Sequence, residues 1–349
     1  MSDSTATVAA AGPPPVGPDD SAPEVSGLRK VFRGSVGRNL GLVLALIILI
    51  IVGIVTGGER FASIDNTLTI LRLGSVIGVV SIGMTFVIIS GGIDLSVGAN
   101  VALASVWATT VATQTMGTDL HWIVMVTSAI IVATCVGLIN GLLVAYGKIA
   151  PFIATLAMLA AARGLAEIIA DRKTQIITVR GFLDAFGGNV LGVPVLVIIF
   201  AVVAVIGWIL LNRTTFGRRT FAVGGNAEAA RLAGIRVKRQ TLWVYALLGS
   251  TCGIAAVMIM ARTTTGSSTH GMLYELDAIA AVVIGGTLLT GGRGTIVGTV
   301  IGVLIFTMLN NIFTLNNLSI SAQAIAKGVI IVVAVLLQQR IADRSRAVT

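Results

Sequence analysis

The sequence predicts an all-α fold, a polytopic membrane helix bundle of about ten transmembrane helices, and three observations carry that prediction. Of the 349 residues, 55% are hydrophobic and 11% charged, with a mean hydropathy of +0.97, values beyond those of water-soluble domains. Apolar stretches of about 20 residues, enough helix to cross a bilayer core of roughly 30 Å, recur along most of the chain. Lys and Arg gather between these stretches and at the ends, as topology determinants do. The short alternating strands of a membrane barrel are missing.

Residues 1–38 open with an aperiodic segment rich in Ala, Pro, Ser and Asp and close with the basic group Arg29, Lys30, Arg33 and Arg38. They read as a disordered tail and a basic flank. Acidic residues come first and a stretch of spanning length follows the basic group, so this is not a signal peptide. The expected spans are 39–57, 68–89, 95–114, 121–146, 152–170, 191–211, 241–262, 275–290, 295–315 and 322–338, which form a transmembrane domain over 39–338 followed by a tail over 339–349. With both termini cytoplasmic, sixteen of the 24 Lys and Arg lie inside: the N-terminal four, Lys148, seven in the 212–240 loop, Arg293, Arg340, Arg344 and Arg346. That distribution follows the positive-inside rule for a multi-pass protein in a bilayer. The net charge of +9 is thereby explained, and nucleic acid is not an expected partner.

Two places look like helix breaks at membrane depth. SGGIDLSVG (90–98) separates two spans with no other loop, and TGGRGTIVG (290–298) follows a short one. Offset by 200 residues, Gly91, Gly92, Val97 and Gly98 match Gly291, Gly292, Val297 and Gly298. Both join a descending to an ascending span, as same-orientation repeats would. Double glycines permit close approach or a positive φ. Asp94, followed by Leu-Ser96, suits a helix start, where a carboxylate meets free amides and the positive dipole end; a proton or substrate role is the alternative.

Arg163 and Glu167, four apart, share a helix face and form an expected intramembrane ion pair. Lys327 can snorkel or pair with a neighbouring span. Asn100, Asn140, Asn310 and Asn311 could line a passage for a neutral, hydroxyl-rich solute, or could make interhelical hydrogen bonds. In the basic loop 212–240, Asn226 can cap a short helix AEAARLA that ends at Gly234, with Glu228 near its positive end and Ala229, Arg231 and Leu232 available for contact. Such a helix reads as a docking element. Cys135 and Cys252 sit within spans as small apolar residues, and His121 and His270 are too few and too far apart for a metal site, so no metal is expected. There is no phosphate-binding loop, nucleophile elbow or kinase set, so the chain is not expected to be an enzyme.

Four blocks, GMTFVIISGGIDLSVGA (83–99), PFIATLAMLAAARGLA (151–166), FGRRTFAVGGNAEAARLAGI (216–235) and YELDAIAAVVIGGTLLTGGRGTIVGTVIGVLI (274–305), closely resemble the permease subunits of bacterial ATP-binding-cassette sugar importers, above all the ribose, xylose and galactose group. The likeness runs over about residues 40–338 in one order. It implies a homodimer of ten-span subunits in the bacterial inner or plasma membrane, a cytoplasmic ATPase that holds ATP and Mg, and an extracytoplasmic sugar-binding protein. It also implies that Asn226–Gly234 docks on that ATPase and that no cofactor resides in this chain. An ion-gradient-driven secondary transporter of a small polar solute, with Asp94 or Arg163 and Glu167 as relay, is the alternative.

Overall fold

In a computed structural model, residues 35–319, 321–330, 332–333 and 336 are described. Residues 1–34 of the tail and basic flank expected over 1–38, the end of the tenth span and the tail over 339–349 lie outside them. The chain divides into Met1–Arg38 and Asn39–Thr349, and apart from the first four residues of α1 all that follows concerns the second unit.

Helices dominate it. They are α1 (Ser35–Ala62), α2 (Ile64–Ile89), α3 (Val97–Ala108), α4 (Val111–Asp119), α5 (Ile123–Ala145) and α6 (Pro151–Ala170), then α7 (Arg180–Gly187), α8 (Val195–Arg213), α9 (Thr215–Gly225), α10 (Ala227–Leu232), α11 (Val237–Thr263), α12 (Tyr274–Ile284) and α13 (Ile296–Leu315). Residues 321–330 are helical as well. Strands are confined to two two-residue pairs: β1 (Gln175–Ile176) lies antiparallel to β4 (Thr265–Gly266), and β2 (Asn189–Val190) to β3 (Val193–Pro194). Among the described residues seven helices, namely α1, α2, α5, α6, α8, α11 and α13, are long and apolar enough to cross a membrane.

Local chemistry sets the ends of these helices. Ser63 opens α2 by accepting from the Asn66 amide at 3.1 Å, Thr295 opens α13 by accepting from the Gly298 amide at 3.0 Å, and Pro151 stands at the start of α6. Two expected spans are shorter than the sequence reading had them. The stretch 95–114 is not one helix: it stops at Ala108, and Thr110 caps the separate α4 by accepting from the Thr113 amide at 3.3 Å. The stretch 275–290 ends at Ile284, where Gly285 and Gly286 terminate α12. With 12 and 11 residues, α3 and α12 reach only about 18 Å at 1.5 Å per residue.

The core sits around α2, α3 and α11, whose side chains are buried almost throughout, whereas α1 faces outward. Neutral hydrogen bonds knit α2 to α13: Asn66 and Asn311 exchange amide bonds at 3.1 and 2.7 Å, and the Thr85 and Thr299 hydroxyls lie 2.7 Å apart. The pairing of β1 with β4 places the connections after α6 and α11 at one end of the bundle. The breaks after α2 and α12 meet at the other end through a Gly292 amide that donates to Ile89 O at 2.8 Å.

The helix over 321–330 is tied to α12 by Lys327, whose ammonium lies 3.4 Å from Asp277 and 5.2 Å from the Phe306 ring centroid. Asp277 is nearly buried, so removing its partner leaves a charge in apolar surroundings. Lys327→Met is expected to destabilise the fold by on the order of 3 kcal/mol. The double variant Lys327→Met with Asp277→Asn should recover most of the loss; thermal unfolding in detergent checks both.

Candidate functional site

Where α2 ends, Gly91 turns the chain in the left-handed region at φ +85°, and in the matching motif Gly291 does the same at +83°. A side chain is strained in that region, which accounts for the repeated glycine. Close approach uses the others. A Cβ on Gly92 would lie 2.7 Å from the Tyr245 hydroxyl, one on Gly98 2.1 Å from Gly271 O, and one on Gly298 2.1 Å from Gly285 O, while Gly292 is itself at φ +71°.

Between Gly92 and the start of α3 at Val97 the chain forms no regular helix or strand, and Asp94 organises it. One carboxylate oxygen accepts from the Ser96 amide and hydroxyl, each at 2.7 Å, and the other accepts from Asn140 Nδ2 at 3.1 Å. Asn140 also donates to the Ser96 hydroxyl at 2.8 Å. All three are buried. Asp94 thus satisfies an amide at the start of α3 from two residues before it and ties that start to α5. Ser96 is the capping position by backbone, with no cap bond of its own. The freed Ile93 carbonyl accepts from the Tyr245 hydroxyl at 3.3 Å and the Thr155 hydroxyl at 3.5 Å, so α11 and α6 also close on the break.

Three of the four asparagines have defined hydrogen-bond partners. Asn100 donates to Ala133 O on α5 at 3.1 Å, Asn140 belongs to the Asp94 group, and Asn311 pairs with Asn66 at the far end of α2. Asn310 is half-buried, and its side-chain oxygen has no hydrogen-bond partner among the described residues. Three of the four therefore make the interhelical bonds that the sequence reading held open as their other role.

The expected contact between Arg163 and Glu167 is not made. Arg163 Nη1 donates to the carbonyls of Ser268 and His270, the latter at 3.1 Å, while Glu167 pairs with Arg172 at 3.2 Å. The reason is local. Asp171 and Arg172 turn left-handed past the end of α6, which brings Arg172 back onto Glu167. Arg163 is drawn instead to carbonyls of the non-helical 264–273 segment, where the Ser267 carbonyl also receives the Ser105 hydroxyl at 3.4 Å. Sequence reasoning missed Asn66, Tyr245 and Asp277. Two carboxylates, Glu275 and Asp277, at the start of a short span, with Lys327 in another, were the signal for the last.

The 212–240 loop folds into α9 and α10. Asn226 accepts from the Ala229 amide at 2.9 Å, Glu228 and Arg231 pair at 2.5 Å, and Gly234 leaves the helix at φ +83°. The Arg231 hydrogen bond holds the Glu228 carboxyl below its usual range, so the pair stays ionised into mild acid. Glu228, Ala229 and Leu232 are exposed. The geometry is a capped, self-neutralised helix that faces outward, at the same end as the two breaks.

Residues 66–337 match the family model of the permease component of branched-chain amino acid transport systems. The chain belongs to this permease family. It is 43% identical over 314 residues to the ribose import permease protein RbsC of Bacillus subtilis, covering 89% of this chain and 96% of that protein. It is 36% identical over 288 residues to the L-arabinose ABC transporter permease protein AraH of Azospirillum brasilense, covering 82% and 84%. With the galactose/methyl galactoside import permease protein MglC of Escherichia coli the identity is 34% over 313 residues, covering 85% and 93%. No solved structure matches.

Within the permease, Asp94→Ala strips acceptors from the Ser96 amide and from Asn140 and is expected to cost about 1–3 kcal/mol. Folded yield from the membrane should fall while the solute preference of the surviving protein stays as in the wild type. A stable variant with altered preference would show that Asp94 reads the solute.

Proposed function

We propose that this permease is the membrane subunit of an ATP-driven, binding-protein-dependent importer of a monosaccharide, pentose or hexose, or a related polyol, and that it forms the translocation pathway. The names of its relatives specify ribose, L-arabinose and galactose. These share a neutral, hydroxyl-rich chemistry, which a passage without fixed net charge suits.

The observation that carries the coupling half of the reading is the capped helix α10. It is too short to be stable alone, yet it is closed at both ends and presents Glu228, Ala229 and Leu232 outward, beside the two breaks. In this reading Asn226–Gly234 docks on a separate cytoplasmic ATPase that binds ATP and Mg, and an extracytoplasmic sugar-binding protein delivers the solute. Two copies of the chain form the passage in the bacterial inner or plasma membrane. Both termini, with the 1–38 and 339–349 tails, are cytoplasmic. Movement of the ATPases is passed to α10, and access alternates by small displacements of packed helices.

Purification of the tagged protein from its native cells in mild detergent, with mass spectrometry of what accompanies it, tests the reading. A near-stoichiometric ATPase is expected; recovery of the protein alone even after crosslinking would overturn it. Exchanging the charges, Glu228→Arg with Arg231→Glu, keeps an ion pair but opposes the helix dipole and any complementary partner surface. The exchange should reduce ATPase recovery by about tenfold or more while membrane insertion is unchanged.

A further inference from the structure

The two membrane breaks and the loop that carries α10 meet in a joint built of backbone alone. The last carbonyl of α2, Ile89 O, accepts from the Gly292 amide in the turn between α12 and α13 at 2.8 Å. The end of α9 is seated on that bond. A Cβ placed on Gly224 would lie 1.7 Å from Ile89 O and 2.9 Å from the Gly292 nitrogen, and one on Gly291 would lie 2.8 Å from Gly224 O and 3.1 Å from Gly91 Cα. Three chain segments distant in sequence therefore touch with no side chain between them. Gly225 lies next along the chain; a Cβ there meets nothing within 4 Å. Asn226 follows and caps α10.

We infer that Gly224 is a positioning residue for transport, coupling displacement of α10 to both membrane breaks at once; the inference rests on the importer reading above. Side chains absorb a displacement by changing rotamer, whereas backbones in van der Waals contact at interior packing density pass it on. One side of the joint is the end of α2, which is buried along most of its length. The other is the start of the α13 segment, which is held to α2 by the Asn66–Asn311 and Thr85–Thr299 bonds. A shift of α10 thus reaches the core and the second break together, without passing through a flexible contact.

The paired variants Gly224→Ala and Gly225→Ala test this, because adjacent positions receive the same methyl group and only one enters the joint. Each would be reconstituted in liposomes with its ATPase and binding protein and assayed with D-ribose, L-arabinose and D-galactose as probes. For Gly224→Ala we expect assembly and ATP hydrolysis to persist, while sugar carried per ATP falls by about tenfold; Gly225→Ala should match the wild type. Equal behaviour of the two variants beside an active wild type overturns the joint. A wild type that hydrolyses ATP but carries none of the probes overturns the importer reading instead.

Should Gly224→Ala fail to fold, spin labels decide. With the exposed Cys135 replaced by Ser, labels go at Gly225→Cys and at Arg293→Cys, both exposed positions. The distance between them should be the same in the nucleotide-free and ATP-bound complex, while the distance between the two copies of position 225 changes. A 225-to-293 distance that changes as much as the distance between copies overturns the joint.

Discussion

Lipid offers no hydrogen bonds, so every helix break inside a bilayer must find partners for its amides and carbonyls within the protein. Three of the helix breaks among the described residues show how the buried polar chemistry of this permease meets that demand. After α2, the Ser90, Gly91 and Gly92 amides fold back onto Phe86, Ile88 and Val87, and Asp94 takes the next orphan amide at Ser96. After α12, the Gly292 amide reaches across to Ile89, and Thr295 takes the Gly298 amide. Beyond α11, the carbonyls of Ser268 and His270 are covered by Arg163. Of the charges that would be costly in lipid, Asp94 and Arg163 serve the backbone, while Asp277 and Lys327 neutralise each other.

The same demand explains what could be read from the sequence. Apolar length gave the spans, because a bilayer imposes a length on any helix that crosses it. The Asn226 cap and the Gly234 exit were legible because capping is local chemistry within a few residues. Arg163 and Glu167 were misread because i to i+4 spacing measures only what one helix offers itself; here the deciding acceptors are backbone carbonyls about a hundred residues away. Asn100, Asn140 and Asn311 are indistinguishable by type from passage-lining residues, and only the positions of Ala133, Asp94 and Asn66 assign them to interhelical contacts. Thr109 and Thr110 carry no strong breaking signal, so the division between α3 and α4 was invisible inside an apolar run.

Seen from the breaks, the glycine-rich motifs and the basic loop form one construction. The sequence offset of 200 residues relates two turns that also touch in space, and the loop between α8 and α11 is seated where they touch. A protein that changes which side of the membrane its passage faces must convert motion at one end into motion at both of its internal hinges. Placing those hinges side by side is an economical geometry for that conversion.

The amide pair between Asn66 and Asn311 has a separate consequence. Each side chain both gives and receives a hydrogen bond, and the pair carries no net charge in any protonation state accessible to a cell. An ion pair in its place would move charge through the electric field whenever α2 and α13 shifted, at about 2.3 kcal/mol per elementary charge per 100 mV. Joined by amides and hydroxyls, the two helices carry no charge at this attachment. Their attachment is therefore the same in a fully energised cell as in a depolarised one.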